Sequence, residues 1–149
     1  MPEVVSIHVA PGHRSAMQPR AAISVEAGAG IVGDRYHGSR HRHLTVQARD
    51  ELDAAAVVLG GPVDDAATRR NVTVATGPLP SEPGDRLRIG PVELEVVRVA
   101  APCRVMEETL GVGGRASLRR RGGVVCRVLT SGRVRIGDEF HVVSRSEQP

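Results

Sequence analysis

The sequence contains no lysine: all 20 of its basic Lys and Arg positions are arginine. A Schiff base on a side-chain amine is therefore excluded, and with it pyridoxal phosphate held covalently in the usual way and any lysine nucleophile. Aromatic residues are nearly as scarce, with no tryptophan and only Tyr36 and Phe140, so single-stranded nucleic acid would find no stacking platform. The arginines are scattered and form no long basic run, which ranks nucleic acid low as a partner despite a pI near 9.6. Two cysteines, Cys103 and Cys126, do not make a secreted disulfide framework and point to the cytoplasm. No apolar run approaches the roughly 18 residues of a membrane helix, and none follows acidic Glu3 closely enough to act as a signal sequence, so a soluble protein with no membrane partner is expected.

What is present suits a single domain over residues 1–143 with a frayed tail at 144–149. With so few aromatics the core must be built from Val, Leu, Ile and Ala, which favours strands, and 17 Gly and 10 Pro supply many turns. The chain opens with a strand at Val4–Val9, turned by Pro11-Gly12, and a second at Ala22–Val25. A glycine-punctuated loop from Gly28 to Gly38 leads through the basic run Ser39-Arg-His-Arg-His43 to a short strand at Leu44–Val46. The one long helix runs from about Gln47 to Leu59, with Leu52, Ala55, Ala56 and Leu59 on one stripe, acidic residues at its start and Gly60-Gly61-Pro62 at its end.

Further strands are expected at Val72–Val74, Arg86–Ile89 and Val92–Val96, with a bulge or bend where the apolar phase shifts at Val97 and Val99. Residues 112–121 are hard to assign. Gly123–Leu129, Val134–Ile136 and Glu139–Val143 read as a closing meander. Gly-Asp at 84–85 and 137–138 reads as turn chemistry, whereas Gly33-Asp34 is followed by Arg35 and His37. Many short strands with one amphipathic helix suggest a mainly β fold, a closed or partly closed barrel.

Chemistry concentrates at Pro102-Cys103. Pro102 ends an extended run and a short helical pattern follows to Gly111, which would put Cys103 near a helix N-terminus, with Arg98 and Arg104 adding positive charge that lowers a thiol's pKa. A small buried hydrophobe is the alternative reading of Cys103. Cys126, inside a Val-rich strand, reads as core. His37, His41 and His43 either converge on zinc or form a solvated, substrate-facing loop; no cysteine or carboxylate at ligand spacing completes a zinc set. Asp34 and Arg35 read as a structural turn and ion pair, and Glu107 and Glu108 as helix surface. Arg119-Arg120-Arg121 beside Gly122-Gly123 would either close over an anion or lie solvated.

Four of these features occur together in order: the Gly33-Asp-Arg-Tyr-His-Gly38 loop, Arg69-Arg70-Asn71-Val72 before a strand, the Pro102-Cys103 turn, and the closing Arg121–Leu129 and Val134–Asp138 block. In that order they resemble a stand-alone MOSC domain, the module at the C-terminus of molybdenum cofactor sulfurases. The resemblance implies a β-barrel whose Cys103 either carries sulfur as a persulfide or ligates molybdenum in a pterin-bound cofactor. Arg69, Arg70 and Asn71 would hold the pterin phosphate or a neighbouring anion, with Arg35 and Arg104 contributing. A soft thiolate and forked arginines agree with that chemistry. Three functions follow: a molybdenum-cofactor-binding or sulfur-carrying protein, a molybdenum-dependent reductase of N-hydroxylated compounds, and a non-catalytic binder of an anionic small molecule or partner. The first needs a separate sulfur donor, and the second a separate electron donor, since this chain has no flavin or iron–sulfur motif.

Overall fold

Short strands frame the chain, and some of them alternate buried and exposed residues, as Ala22–Glu26 does. In the computed structural model, which describes residues 2–101, 108, 110–117 and 121–143, an eight-stranded sheet runs in the order β11-β7-β8-β9-β5-β6-β1-β2. These strands are β1 (Val4–Val9), β2 (Gln18–Pro19), β5 (Leu44–Ala48), β6 (Val72–Val74), β7 (Arg86–Ile89), β8 (Val92–Val99), β9 (Val124–Val128) and β11 (Phe140–Val143). A smaller sheet, β10-β3-β4, is formed by β3 (Ala22–Glu26), β4 (Gly30–Ile31) and β10 (Gly132–Arg135).

The large sheet curls until its distant strands approach. Glu3 bridges Glu139, and Val4 N–H donates to the Asp138 carbonyl at 2.9 Å. One bridge is not a ladder, so the sheet is an open, curled half-barrel, mainly β with one main helix.

Its concave face holds the core. Val92, Leu94 and Val96 of β8 lie against Leu87, Ile89, Val128 and Phe140, all nearly inaccessible to water. Burying an aliphatic side chain of this size contributes about 1.5–3 kcal/mol. The expected break in β8 is present: its register with β9 shifts between Val96 and Arg98, and the strand continues to Val99 rather than ending at Val96. A second shift, between Val4 and Ser6, explains why β1 buries Val4, Ile7 and Val9 out of strict alternation.

Two expectations fail. Gln47 belongs to β5, and the helix α1 begins at Arg49 and ends at Leu59. Gln47 Nε2 donates to Thr73 Oγ1 at 2.9 Å, and Gln47 Oε1 accepts from Thr68 Oγ1 at 2.7 Å, so a wholly buried strand tolerates it. Nor do the last three strands form a meander. β9 lies between β8 and β5, β10 pairs with β3, and β11 pairs with β7. Val134 of β10 is buried opposite Ile23, on the second sheet rather than beside β9.

β5, α1 and β6 form a crossover joining parallel neighbours. Leu52 and Ala55 of α1 pack with Val63 in a small separate cluster, joined at its margin by Ala56, Leu59 and Leu110. Gly60, at φ 81°, ends the helix with its N–H on the Ala56 carbonyl. Among the described residues no helix is long and apolar enough to cross a membrane.

Candidate functional site: an arginine-walled cavity at the exit of β8

In the loop after β4, Gly33, with a φ of 89°, makes the turn that leads into Asp34. The Asp34 side chain is fully buried. Its Oδ1 accepts from Ala10 N–H at 3.1 Å and from Arg35 Nη1 at 3.2 Å, and its Oδ2 accepts from Tyr36 N–H at 3.2 Å. This is the turn and ion pair expected of Asp34 and Arg35. The second Arg35 arm, Nη2, donates to the Arg69 carbonyl at 3.2 Å, joining two motifs 34 residues apart.

Arg69 carries the described chain's only positive φ outside glycine, 61°. Such a conformation costs about 1–3 kcal/mol and persists where its surroundings over-determine it. Here they do. Arg69 Nη1 donates to the Ser15 carbonyl and Nη2 to the His13 carbonyl, both at 2.9 Å, so the residue holds the loop after β1 in place. Arg70 points into the protein and is 2% exposed. Its Nε donates to the Gly122 carbonyl at 2.8 Å and its Nη2 to the Ala101 carbonyl at 3.0 Å, tying together the chain leaving β8 and the chain approaching β9.

Asn71 is a brace behind the cavity rather than part of its lining. Its Nδ2 donates to the His8 carbonyl at 3.1 Å, its Oδ1 accepts the Thr45 amide at 3.0 Å, and its own N–H donates to Thr45 Oγ1 at 2.9 Å. These bonds fasten β1 and β5 to the start of β6.

The result is a cavity of about 300 Å³ bordered by His13, Arg14, Arg35, Tyr36, Arg42, Arg69, Arg70 and Ala101. No carboxylate appears among its described lining residues. Among the described residues two acids pair with arginines of the lining, Asp34 with Arg35 at 3.2 Å and Glu108 with Arg14 at 2.9 Å. Tyr36 has the guanidinium of Arg42 over its ring at 4.3 Å from the centroid, that of Arg35 at 4.8 Å, and His13 edge-on at 5.2 Å. His13, Arg14, Tyr36 and Arg42 escape sequence reasoning as site residues. Their signals are positional: His13-Arg14 follows the Pro11-Gly12 turn, Tyr36 sits in the Gly33–Gly38 motif, and Arg42 lies in the basic run after Gly38.

Cys103 and Arg104 lie outside the described residues, as do Pro102, Glu107, Arg119 and Arg120. Ala101, which lines the cavity, stands two residues before Cys103 in the chain.

The three loop histidines do not meet. His37 pairs with Glu26, His41 Nδ1 accepts from Arg127 Nη2 at 2.6 Å, and His43 is buried. His43 Nδ1 accepts the Val128 amide at 2.9 Å, so its Nε2 carries the proton donated to the Ser39 carbonyl at 2.8 Å. Burial lowers its pKa, against the Ser39 hydrogen bond, and keeps it neutral. Among the described residues no three His, Cys, Asp or Glu side chains gather at metal-binding range. Cys126 is fully buried, and burial pushes its thiol pKa far up, as befits core.

A MOSC domain family model matches residues 33–141, and the chain belongs to that family. Its fold is similar to that of the YUAD protein from Bacillus subtilis, at 19% identity and a TM-score of 0.81 over 97% of this chain and 98% of that one. It is also similar to YiiM from Geobacillus stearothermophilus, at 18% identity and a TM-score of 0.77 over 97% and 76%. YiiM from Escherichia coli shares 16% identity with a TM-score of 0.70 over 96% and 70%. At these identities the likeness is one of fold. No curated protein sequence matches the chain.

Proposed function

We propose that this MOSC protein binds a phosphate-bearing molybdenum–pterin cofactor, with the arginine-walled cavity taking the phosphate and Cys103 supplying the thiolate. The observation that carries the reading is the donor set: five arginines around one cavity, at the chain exit two residues before Cys103. Forked guanidinium donors match phosphate oxygens, and a soft thiolate suits molybdenum. Within this reading Arg14 and Arg42 face the anion, and Arg35, whose two arms are held by Asp34 and the Arg69 carbonyl, contributes charge. Arg69 and Arg70 hold the cavity's shape while contributing charge, and Asn71 fixes the strands behind them. When bound, the group would supply two-electron redox chemistry at the metal, for which reduction of N-hydroxylated compounds, with electrons from a separate donor protein, is the activity we favour.

The protein produced in cells that make the cofactor tests this. Wild type should retain molybdenum and pterin, Cys103→Ser should lose the metal, and the Arg14→Gln/Arg42→Gln double variant should retain at most one tenth of the pterin. Full pterin retention by the double variant would remove the cavity from the reading. Absence of metal and pterin from wild type, with a labelled persulfide forming on Cys103, would replace cofactor binding by sulfur carriage.

A further inference from the structure

A second cavity, about 540 Å³, opens beside the end of β8, and the one charged side chain among its described lining residues is a carboxyl. Among the described residues it is lined by Leu79, Val99, Val124 and Gly123, with one hydroxyl, Ser81, and one carboxyl, Glu51. Its floor is fixed by a close backbone approach: a Cβ on Gly123 would sit 2.0 Å from the Val46 carbonyl oxygen, so only glycine fits. Val99, 41% exposed, leaves apolar surface at the opening.

Glu51 is the third residue of α1, where a glutamate commonly reaches back to the backbone N–H at the helix start. Here the neighbouring Asp50 accepts the Gly77 amide at 3.1 Å, and Glu51 makes no hydrogen bond or ion pair among the described residues. Its Oε1 lies beside Gly77, 3.3 Å from where a Cβ would be, so the absence of a side chain there leaves the carboxyl room. Burial, and then repulsion from Asp50, push its pKa up, and the attraction of Arg121 does not make up for them. A carboxyl ionised against apolar walls without a partner is costly, and a cationic donor seated on it removes the cost.

We propose that this cavity binds an organic amine with an apolar body, its ammonium group on the Glu51 carboxylate and the Ser81 hydroxyl, its body against Leu79, Val99 and Val124. The two cavities share no described lining residue, so the proposal stands apart from the cofactor reading. An anion enters the arginine cavity and is repelled here. An amine does the reverse.

The probe is 1-naphthylmethylamine, compared with 1-naphthylmethanol and 1-naphthoate, followed by calorimetry and by amide chemical shifts of the full chain. The amine should bind saturably and shift the amides of Ser81, Gly123 and Val124. The alcohol should bind at least tenfold more weakly, and the naphthoate should not shift these amides. Glu51→Gln should weaken the amine at least tenfold, and Val99→Trp, which fills the opening from an exposed position, should abolish its binding. Equal binding to Glu51→Gln, shifts centred on His13 and Ala101, or no saturation up to about 10 mM, a weaker interaction than ordinary small-ligand recognition, would each overturn the proposal.

Discussion

Replacing Arg70 by methionine removes a buried cation from two backbone carbonyls, that of buried Gly122 and that of exposed Ala101. Arg70 Nε and Nη2 reach Gly122 and Ala101 at 2.8 and 3.0 Å, and the side chain is almost inaccessible to water. A hydrogen bond from a charged donor contributes about 1.5–3 kcal/mol, and the Gly122 carbonyl left unsatisfied in the interior costs about 1–3 kcal/mol, whereas that of exposed Ala101 turns to water. Methionine escapes the desolvation penalty of a buried guanidinium, several kcal/mol in proteins, so the gross loss is partly offset. The net expectation is a destabilisation of about 2–4 kcal/mol. Arg70→Lys, whose single ammonium cannot fork between both carbonyls, should lose about half of that. Urea unfolding at pH 7.5 measures both variants, with an unchanged m-value as the check that the unfolded state is the same. Hydrogen exchange adds a local reading: Ala100 N–H, bonded to the Gly123 carbonyl at 2.9 Å, lies between the two tethered segments and should lose more protection than Leu94. An Arg70→Met variant within ~0.5 kcal/mol of wild type would refute the account. It would mean that the two segments hold their places without the strut.

Gly123→Ala should be harsher than an ordinary glycine substitution, because φ is 89° and the new Cβ would fall 2.0 Å from the Val46 carbonyl; we expect little soluble protein, and a variant with wild-type unfolding midpoint would sink the packing argument. His43 should make the protein acid-sensitive. Its folded pKa is below the unfolded value of about 6.5, so its stabilising effect is present above pH 6.5 and is lost on acidification as the unfolded state takes up a proton first. Unfolding free energy measured from pH 7.5 to 5 should slope downward by at most ~1.4 kcal/mol per unit from this residue, and His43→Gln should flatten the slope. Glu51 carries the opposite sign, since its folded pKa is raised and ionisation above the unfolded value of 4.5 costs stability. Glu51→Gln should therefore raise the midpoint at pH 7 and leave it unchanged near pH 3; the reverse pattern would contradict an unpartnered carboxyl.

Local chemistry was readable in the sequence wherever one residue type does a local job. Gly84 and Gly137 take φ values of 91° and 95°, and the carboxylates that follow them accept backbone amides, Asp85 from Glu82 and Asp138 from Arg135. The bulge in β8 announced itself as a change of apolar phase. Strand partners did not. Period-two alternation states which face of a strand is buried and nothing about its neighbour, so β9, β10 and β11 looked like a meander although each pairs elsewhere. The start of α1 was misplaced for a related reason. Acidic residues at 50 and 51 signal a helix N-terminus, but nothing in the sequence shows that Gln47 will be buried among Thr68 and Thr73.

The same distinction governs the site. The Gly33–Gly38 and Arg69–Asn71 motifs are separate in sequence, and it is β6 lying between β1 and β5 that brings Asp34, Arg35, Arg69 and Asn71 together. The family resemblance assigned all three members of the Arg-Arg-Asn motif to an anion. The folded chain divides their labour. Arg69 accepts a left-handed backbone to hold His13 and Ser15, Arg70 straddles the two segments at the exit of β8 and the approach to β9, and Asn71 clasps β1 and β5. Strain at Arg69, burial of Arg70 and saturation of Asn71 are costs borne by residues that shape a cavity, whereas Arg14, 72% exposed at its side chain, pays none of them. In the proposed anion site, selectivity rests on Arg14 and Arg42, and geometry on the buried Arg69 and Arg70. Changing Arg14 should alter what binds while leaving stability within ~0.5 kcal/mol, and changing Arg70 should alter stability first.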